Sequence, residues 1–204
     1  MKRVTLGFRV KSGYAIAVAL RGPASAPDAV ARHVVELSDP DAADTRQPYH
    51  DGFYTHEEDA RKIARRVRIV ERVATRSVAA LLKDRRLADC RRAGLVVGSV
   101  IDPAKVGNPH IRAHASEGRL FRTVLETALR SHGIGCDVIV EKQLAAKASA
   151  GLERGDAEIR KALAGFGKSL GGPWRADEKA ASAAAWLALA LVLVLNVLPA
   201  FVVL

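Results

Sequence analysis

The stretch Val4-Thr5-Leu6-Gly7-Phe8-Arg9-Val10-Lys11-Ser12-Gly13-Tyr14-Ala15-Ile16-Ala17-Val18-Ala19-Leu20 reads as two short strands joined by a tight turn. The turn falls at Lys11-Ser12-Gly13, where glycine supplies the positive φ that a tight hairpin needs. The second arm is almost wholly apolar, the pattern of a central strand covered on both faces.

Working outward, Val30, Val34, Val35 and Leu37 among polar residues make residues 29–37 a third strand. Residues 39–48 are polar and rich in breakers, a surface loop. Tyr49, Phe53 and Tyr54 sit beside it, either packing the loop onto the body or stacking on unpaired bases. Thr55 followed by Glu57, Glu58 and Asp59 predicts a capped helix start. Apolar residues at three- and four-residue steps carry that helix to about Lys83. Its outer face is read as a basic stripe of Arg61, Lys62, Arg65, Arg66, Arg68, Arg72 and Arg76.

Residues 93–101 are a buried strand ending at Asp102-Pro103, and residues 111–131 a second helix stopped by Gly133 and Gly135. A strand over 137–141 follows, then helices near 143–150 and 156–166, and a last helix opening at Ala176-Asp177-Glu178. The order predicts an α/β fold: a mixed five-stranded sheet, antiparallel in its first three strands and then parallel, flanked by helices. Sites in such sheets gather at the carboxyl ends of the strands.

At 204 residues the chain suits one domain, expected over 1–192, with an apolar tail over 193–204. The 32 Lys and Arg against 22 Asp and Glu leave a formal +10, which points to a polyanionic partner, nucleic acid or an anionic membrane surface. Cys90 and Cys136 suit buried thiols in a reducing, cytoplasmic setting, with one bridge between them as the alternative. No secretory signal is read at the start, since Arg9 and Lys11 interrupt the apolar run. Residues 183–204 carry no charge, long enough for a membrane anchor or for an oligomer-forming segment.

Asp102, Glu141 and Asp177 stand at the ends of two strands and at the start of the last helix. Carboxylates brought that close need a cation, and hard oxygen ligands select Mg²⁺ or Mn²⁺. Two such ions activate a water and stabilise the leaving oxygen of a phosphodiester. The bland alternative is turn and cap chemistry at each position. His110 and His114 have the four-residue spacing of a metal pair on a helix, but no acidic or third ligand accompanies them as in a zinc protease motif. Gly165-Phe166-Gly167-Lys168-Ser169 ends in the letters of a phosphate loop but follows a helix rather than a strand.

Leu6-Gly7-Phe8-Arg9 with Ser12-Gly13-Tyr14-Ala15, Ile101-Asp102 with Asn108 and Ala115-Ser116-Glu117-Gly118-Arg119, the 143–164 region, and Asp177-Glu178-Lys179-Ala180-Ala181-Ser182-Ala183 together resemble the ribonuclease-H-like superfamily. Within it the chain resembles the RuvC-type Holliday junction resolvases, and next the YqgF-type nucleases. The resemblance implies a Mg²⁺- or Mn²⁺-dependent, structure-selective endonuclease of DNA recombination and repair, or a catalytically degenerate relative that binds branched or structured DNA. It implies Asp102, Glu141 and Asp177 as catalytic and metal-binding, with Asp102 the second acid in the resolvase pattern and Glu141 in the YqgF pattern. It implies nucleic-acid contacts from Arg9, Lys11, Arg119, Lys147, Arg154, Lys161 and Lys168; a homodimer is one assembly open to the chain.

Arg9 stands where that superfamily carries its first aspartate. A guanidinium is always charged and cannot ligate a cation. It is expected to pair with Asp177 or Glu141 and fill the site, which favours the degenerate form. The alternative is a non-enzymatic protein, membrane-anchored or oligomeric through residues 183–204.

Overall fold

The computed structural model describes residues 3–52 and 55–197, with side chains up to residue 191. Five strands, β1 (Val4–Lys11), β2 (Tyr14–Arg21), β3 (Asp28–Glu36), β4 (Cys90–Val97) and β5 (Gly135–Val140), form one sheet in the order β3-β2-β1-β4-β5. The β1–β2 and β2–β3 pairs are antiparallel, and β1–β4 and β4–β5 are parallel. The expected architecture is thus the observed one. The helices are α1 (Ala60–Leu81), α2 (Pro109–Ser131), α3 (Leu144–Leu152), α4 (Asp156–Leu170) and α5 (Ala176–Val197).

The central strand β1 sorts its side chains by the two-residue period of a strand. Val4, Leu6, Phe8 and Val10 join the core under α1 and α2. The alternate positions face α5: Thr5 Oγ1 donates to Ala185 O at 2.7 Å, and Arg9 lies on that same side. A Cβ built on Gly7 would stand 1.9 Å from Ala181 O, and one on Gly94 would stand 2.6 Å from Ala184 O. Glycines on the sheet and alanines on the helix therefore let the two backbones meet closely. The β1–β2 turn closes at Gly13, whose φ is +84°, and its carbonyl accepts from Leu37 N and Ser38 N.

Residues 181–189 of α5 are buried between the sheet and α3 and α4. A helix apolar on every side is what a helix buried on every side requires. This corrects the anchor reading over its first third, and no described helix is long and apolar enough to cross a membrane. The helix also runs through the expected boundary at 192 and continues to Val197; residues 198–204 lie outside the described part.

Local departures from the expected elements have local causes. α1 begins at Ala60 rather than at Thr55, because Asp59 is the cap, accepting from Arg61 N and Lys62 N. Arg66 is not on the basic face. It is buried, donates to the Pro48 and His50 carbonyls at 3.2 Å each, and pairs with Asp44 and Glu57, pinning the β3–α1 loop to α1. β4 ends at Val97, opposite the last residue of β5, so residues 98–101 have no strand to pair with, and Val100 and Ile101 are exposed. Tyr49 packs against the core, whereas Phe53 and Tyr54 lie outside the described residues. Gly165 to Ser169 lie inside α4, with Gly167 against the Trp174 ring, so no phosphate loop forms there. Both cysteines are free, and burial pushes Cys90 up to about 11 and Cys136 up to about 12.

Candidate functional site

At the carboxyl end of β1, Arg9 projects toward α5 and is all but closed off from solvent, with 8% of its side chain exposed. Its Nη2 donates to Glu141 Oε2 at 2.6 Å, and its Nε lies 3.6 Å from Asp177 Oδ1. Its Nη1 donates to the Val10 carbonyl at 3.2 Å. Lys11, at the end of the same strand, brings Nζ to 3.5 Å from Asp177 Oδ1. Two cations and two carboxylates thus sum to zero charge at one point on the sheet's edge.

The elements explain the convergence. Glu141 is the first residue after β5, and Asp177 the second of α5, where a carboxylate meets the positive end of the helix dipole. β1 is separated from β5 only by β4 and packs against α5, and Arg9 bridges both acids. The ion pair expected from Arg9 is formed, with both of the acids named as alternatives.

Asp102 is not brought to this place. It lies five residues beyond the end of β4, in the loop before α2. Its Oδ1 caps a short turn by accepting from Ala104 N at 3.1 Å and stands 3.9 Å from Arg119 Nη1. The residue abreast of Arg9 on β4 is Val96, and the strand leaves the sheet as Val97-Gly98-Ser99. Of the two candidates for a second acid, only Glu141 reaches Arg9. The next residue of α5, Glu178, is engaged elsewhere, accepting from Arg32 Nη2 at 2.5 Å and Arg175 N at 2.9 Å. Ser182 donates back to the Glu178 carbonyl.

Mg²⁺ demands a near-octahedral set of oxygens at about 2.0–2.1 Å. Here an obligate cation occupies the space between the two carboxylates, and the end of β4 offers no acid. The residues present do not fit a two-ion centre.

The proposed nucleic-acid contacts divide by exposure. Lys11 and Arg119 are accessible at this edge, and Lys147, Lys161 and Lys168 are exposed on α3 and α4. Arg9 is all but buried, and its guanidinium is engaged by Glu141, Asp177 and the Val10 carbonyl. Arg154 is committed to the fold: it pairs with Glu158, donates to the Ser25 carbonyl at 2.7 Å and lies 5.4 Å over the Trp186 ring.

A groove of about 250 Å³ runs from Arg9, Lys11 and Ser12 past Gly98 and Ser99 to His114 and Gly118 on α2. At its α2 end lies a cluster that sequence reasoning missed in part. His110 and His114 are joined by His50 from the β3–α1 loop and by Glu117, one turn further along α2. Burial pulls His50 and His114 below the ordinary histidine value and pushes Glu117 up to about 7. The pair spacing on α2 was visible in the sequence; the third histidine had no signal, because it lies 60 residues earlier in a loop.

No family model and no curated protein matches this sequence. Among solved structures the fold is similar to that of "T. thermophilus RuvC in complex with Holliday junction substrate", with a TM-score of 0.53 and 12% identity over 94% of this chain and 96% of that one. The Thermus thermophilus RuvC structure aligns with the same TM-score and coverage at 11% identity. The likeness is one of fold, an RNase H-like α/β architecture spanning nearly the whole chain.

Proposed function

We propose that this protein binds nucleic acid, branched or structured DNA foremost, on an RNase H-like scaffold whose cleavage centre has been replaced by an internal ion-pair cluster. The observation that carries the reading is the Arg9 guanidinium lodged between Glu141 and Asp177, at the strand end where a fold of this kind places its chemistry. A fixed positive charge there does what bound cations do in such a nuclease, neutralising the acids, but it activates no water. Binding does not need that step. The formal charge of +10 and the accessible Lys11, Arg119, Lys147, Lys161 and Lys168 supply sequence-independent attraction to phosphates. The T. thermophilus RuvC of similar fold was captured with a Holliday junction substrate, which makes four-way junctions the first ligand to try.

The test is fluorescence anisotropy with four-way junctions, flaps, plain duplex and single strands, at low and near-physiological salt. Each DNA is then incubated with the protein and millimolar Mg²⁺ or Mn²⁺ and run on a denaturing gel. Binding that weakens steeply with salt, tightest for the junction and without cleavage products, is the expected result. Absence of binding at low salt would overturn the reading, and metal-dependent products would overturn its non-cleaving part.

A further inference from the structure

We infer that His50, His110 and His114 form a binding site for one transition-metal dication of the zinc class, with Glu117 as the carboxylate that positions His50. The three candidate ligand nitrogens all lie within 4.8 Å of one another. His110 Nε2 and His114 Nε2 are 3.2 Å apart, facing each other from successive turns of α2. Two nitrogens bound to one tetrahedral zinc at about 2.0–2.1 Å stand about 3.3 Å apart, so this pair already has the spacing of one edge of the tetrahedron.

His50 completes the set from the β3–α1 loop. Its ring centroid is 4.6 Å from that of His114 and 5.4 Å from that of His110. Its side chain is 5% exposed, and its Nδ1 lies 2.7 Å from Glu117 Oε1. A carboxylate accepting from Nδ1–H selects the tautomer whose lone pair is on Nε2, the arrangement that orients histidines on metals. His50 Nε2 is buried and has no hydrogen-bond partner. A buried acceptor without a donor is unfavourable, and a cation in the cluster removes that deficit.

The donor set fixes the class of ion. Three imidazoles without thiolates suit zinc, or cobalt, nickel and copper in its place, whereas Mg²⁺ prefers oxygen. Three protein ligands leave a fourth position for water. His50 belongs to the β3–α1 loop, so the ion would also tie that loop to α2. The inference does not depend on nucleic-acid binding, since it uses none of the residues that carry that proposal.

The test uses untagged full-length protein stripped with a chelator. Calorimetric titration with Zn²⁺ is expected to give one equivalent at micromolar or tighter affinity, and none with Mg²⁺. Co²⁺ is expected to give the intense visible bands of a tetrahedral site. The double variant His110→Gln, His114→Gln changes partly exposed positions, and its fold is checked by circular dichroism; it is expected to lose the affinity by at least about 100-fold. Glu117→Gln is expected to keep the stoichiometry and lose about 10–100-fold in affinity. His132→Ala, outside the cluster, is the control. No stoichiometric Zn²⁺ binding by the wild type, or equal binding by the folded double variant, would overturn the inference.

Discussion

Arg9 and Glu141 lie 132 positions apart in the chain and meet through a single 2.6 Å contact from Nη2 to Oε2. The contact joins the end of the central strand to the end of the edge strand β5. With Asp177 as a second partner, it makes a closed ion-pair network at the carboxyl end of β1.

Arg9→Asp removes the internal cation and sets three carboxylates together. In chelator the variant should be less stable by about 2–3 kcal/mol. That is below the about 3–5 kcal/mol expected for breaking a fully buried pair, because Glu141 and Asp177 are 51% and 30% exposed. Millimolar Mg²⁺ should recover part of the loss. Thermal melts of both proteins with and without Mg²⁺ check this, and a variant indifferent to Mg²⁺ would count against the proposed equivalence of Arg9 and bound metal.

Lys147→Glu with Lys161→Glu should weaken DNA binding about equally for all sequences. The slope of log affinity against log salt should flatten by about 1–2. Arg154→Ala, though also a lost cation, should leave that slope unchanged. It should instead lower stability by about 1–2 kcal/mol, through its contacts with Ser25 and Trp186. Anisotropy titrations and urea unfolding on the same preparations separate the two effects.

Gly7→Ala is predicted to be among the most damaging single-methyl additions. Its Cβ would stand 1.9 Å from Ala181 O and 2.4 Å from Ala185 N, and both are backbone atoms that cannot rotate away. The cost should lie at or above the upper end of the about 1–3 kcal/mol typical of overpacking. Gly165→Ala, where a Cβ meets nothing within 4 Å, is the matched control. Comparable denaturation midpoints for the two variants would contradict the close docking of α5 on β1.

Asp84 supplies the clearest pH dependence. Hydrogen bonds from the Arg86 side chain, with further help from the Arg86 backbone and His33, hold its carboxyl well below the usual range. A depressed carboxylate contributes stability that is fully present above its unfolded value near 4 and is lost as the pH falls toward its folded value. Asp84→Asn should therefore cost about 1–2 kcal/mol at pH 7. The gap to wild type should narrow steadily below pH 4, as read from urea unfolding across that range.

Much of the fold was written locally. The alternation in β1, the three- and four-residue steps of α1 and α2, and Gly13 at the turn are properties of a few consecutive residues. They placed the strands and helices within a few positions and led to the right mix of antiparallel and parallel pairing. Arg9 was likewise legible as a residue unfit to hold a metal, because its charge is intrinsic to the side chain.

What the tertiary structure alone decided was which distant groups meet. Asp102 and Glu141 each follow an apolar strand in the sequence and look alike there. Only the pairing of β4 with β5 shows that β4 stops at Val97 and leaves Asp102 behind. The uncharged run from residue 183 reads as an anchor or as a buried helix, and for residues 183–189 burial is decided only when the sheet's glycines are seen to receive the alanines of α5. His50 has no local mark of a ligand, and becomes a candidate only through a loop held in place by Arg66 and through Glu117, 67 positions away. Periodicity is set by neighbours along the chain, whereas a site is set by strand order and by the face each side chain takes, and those are fixed only when the whole sheet is assembled.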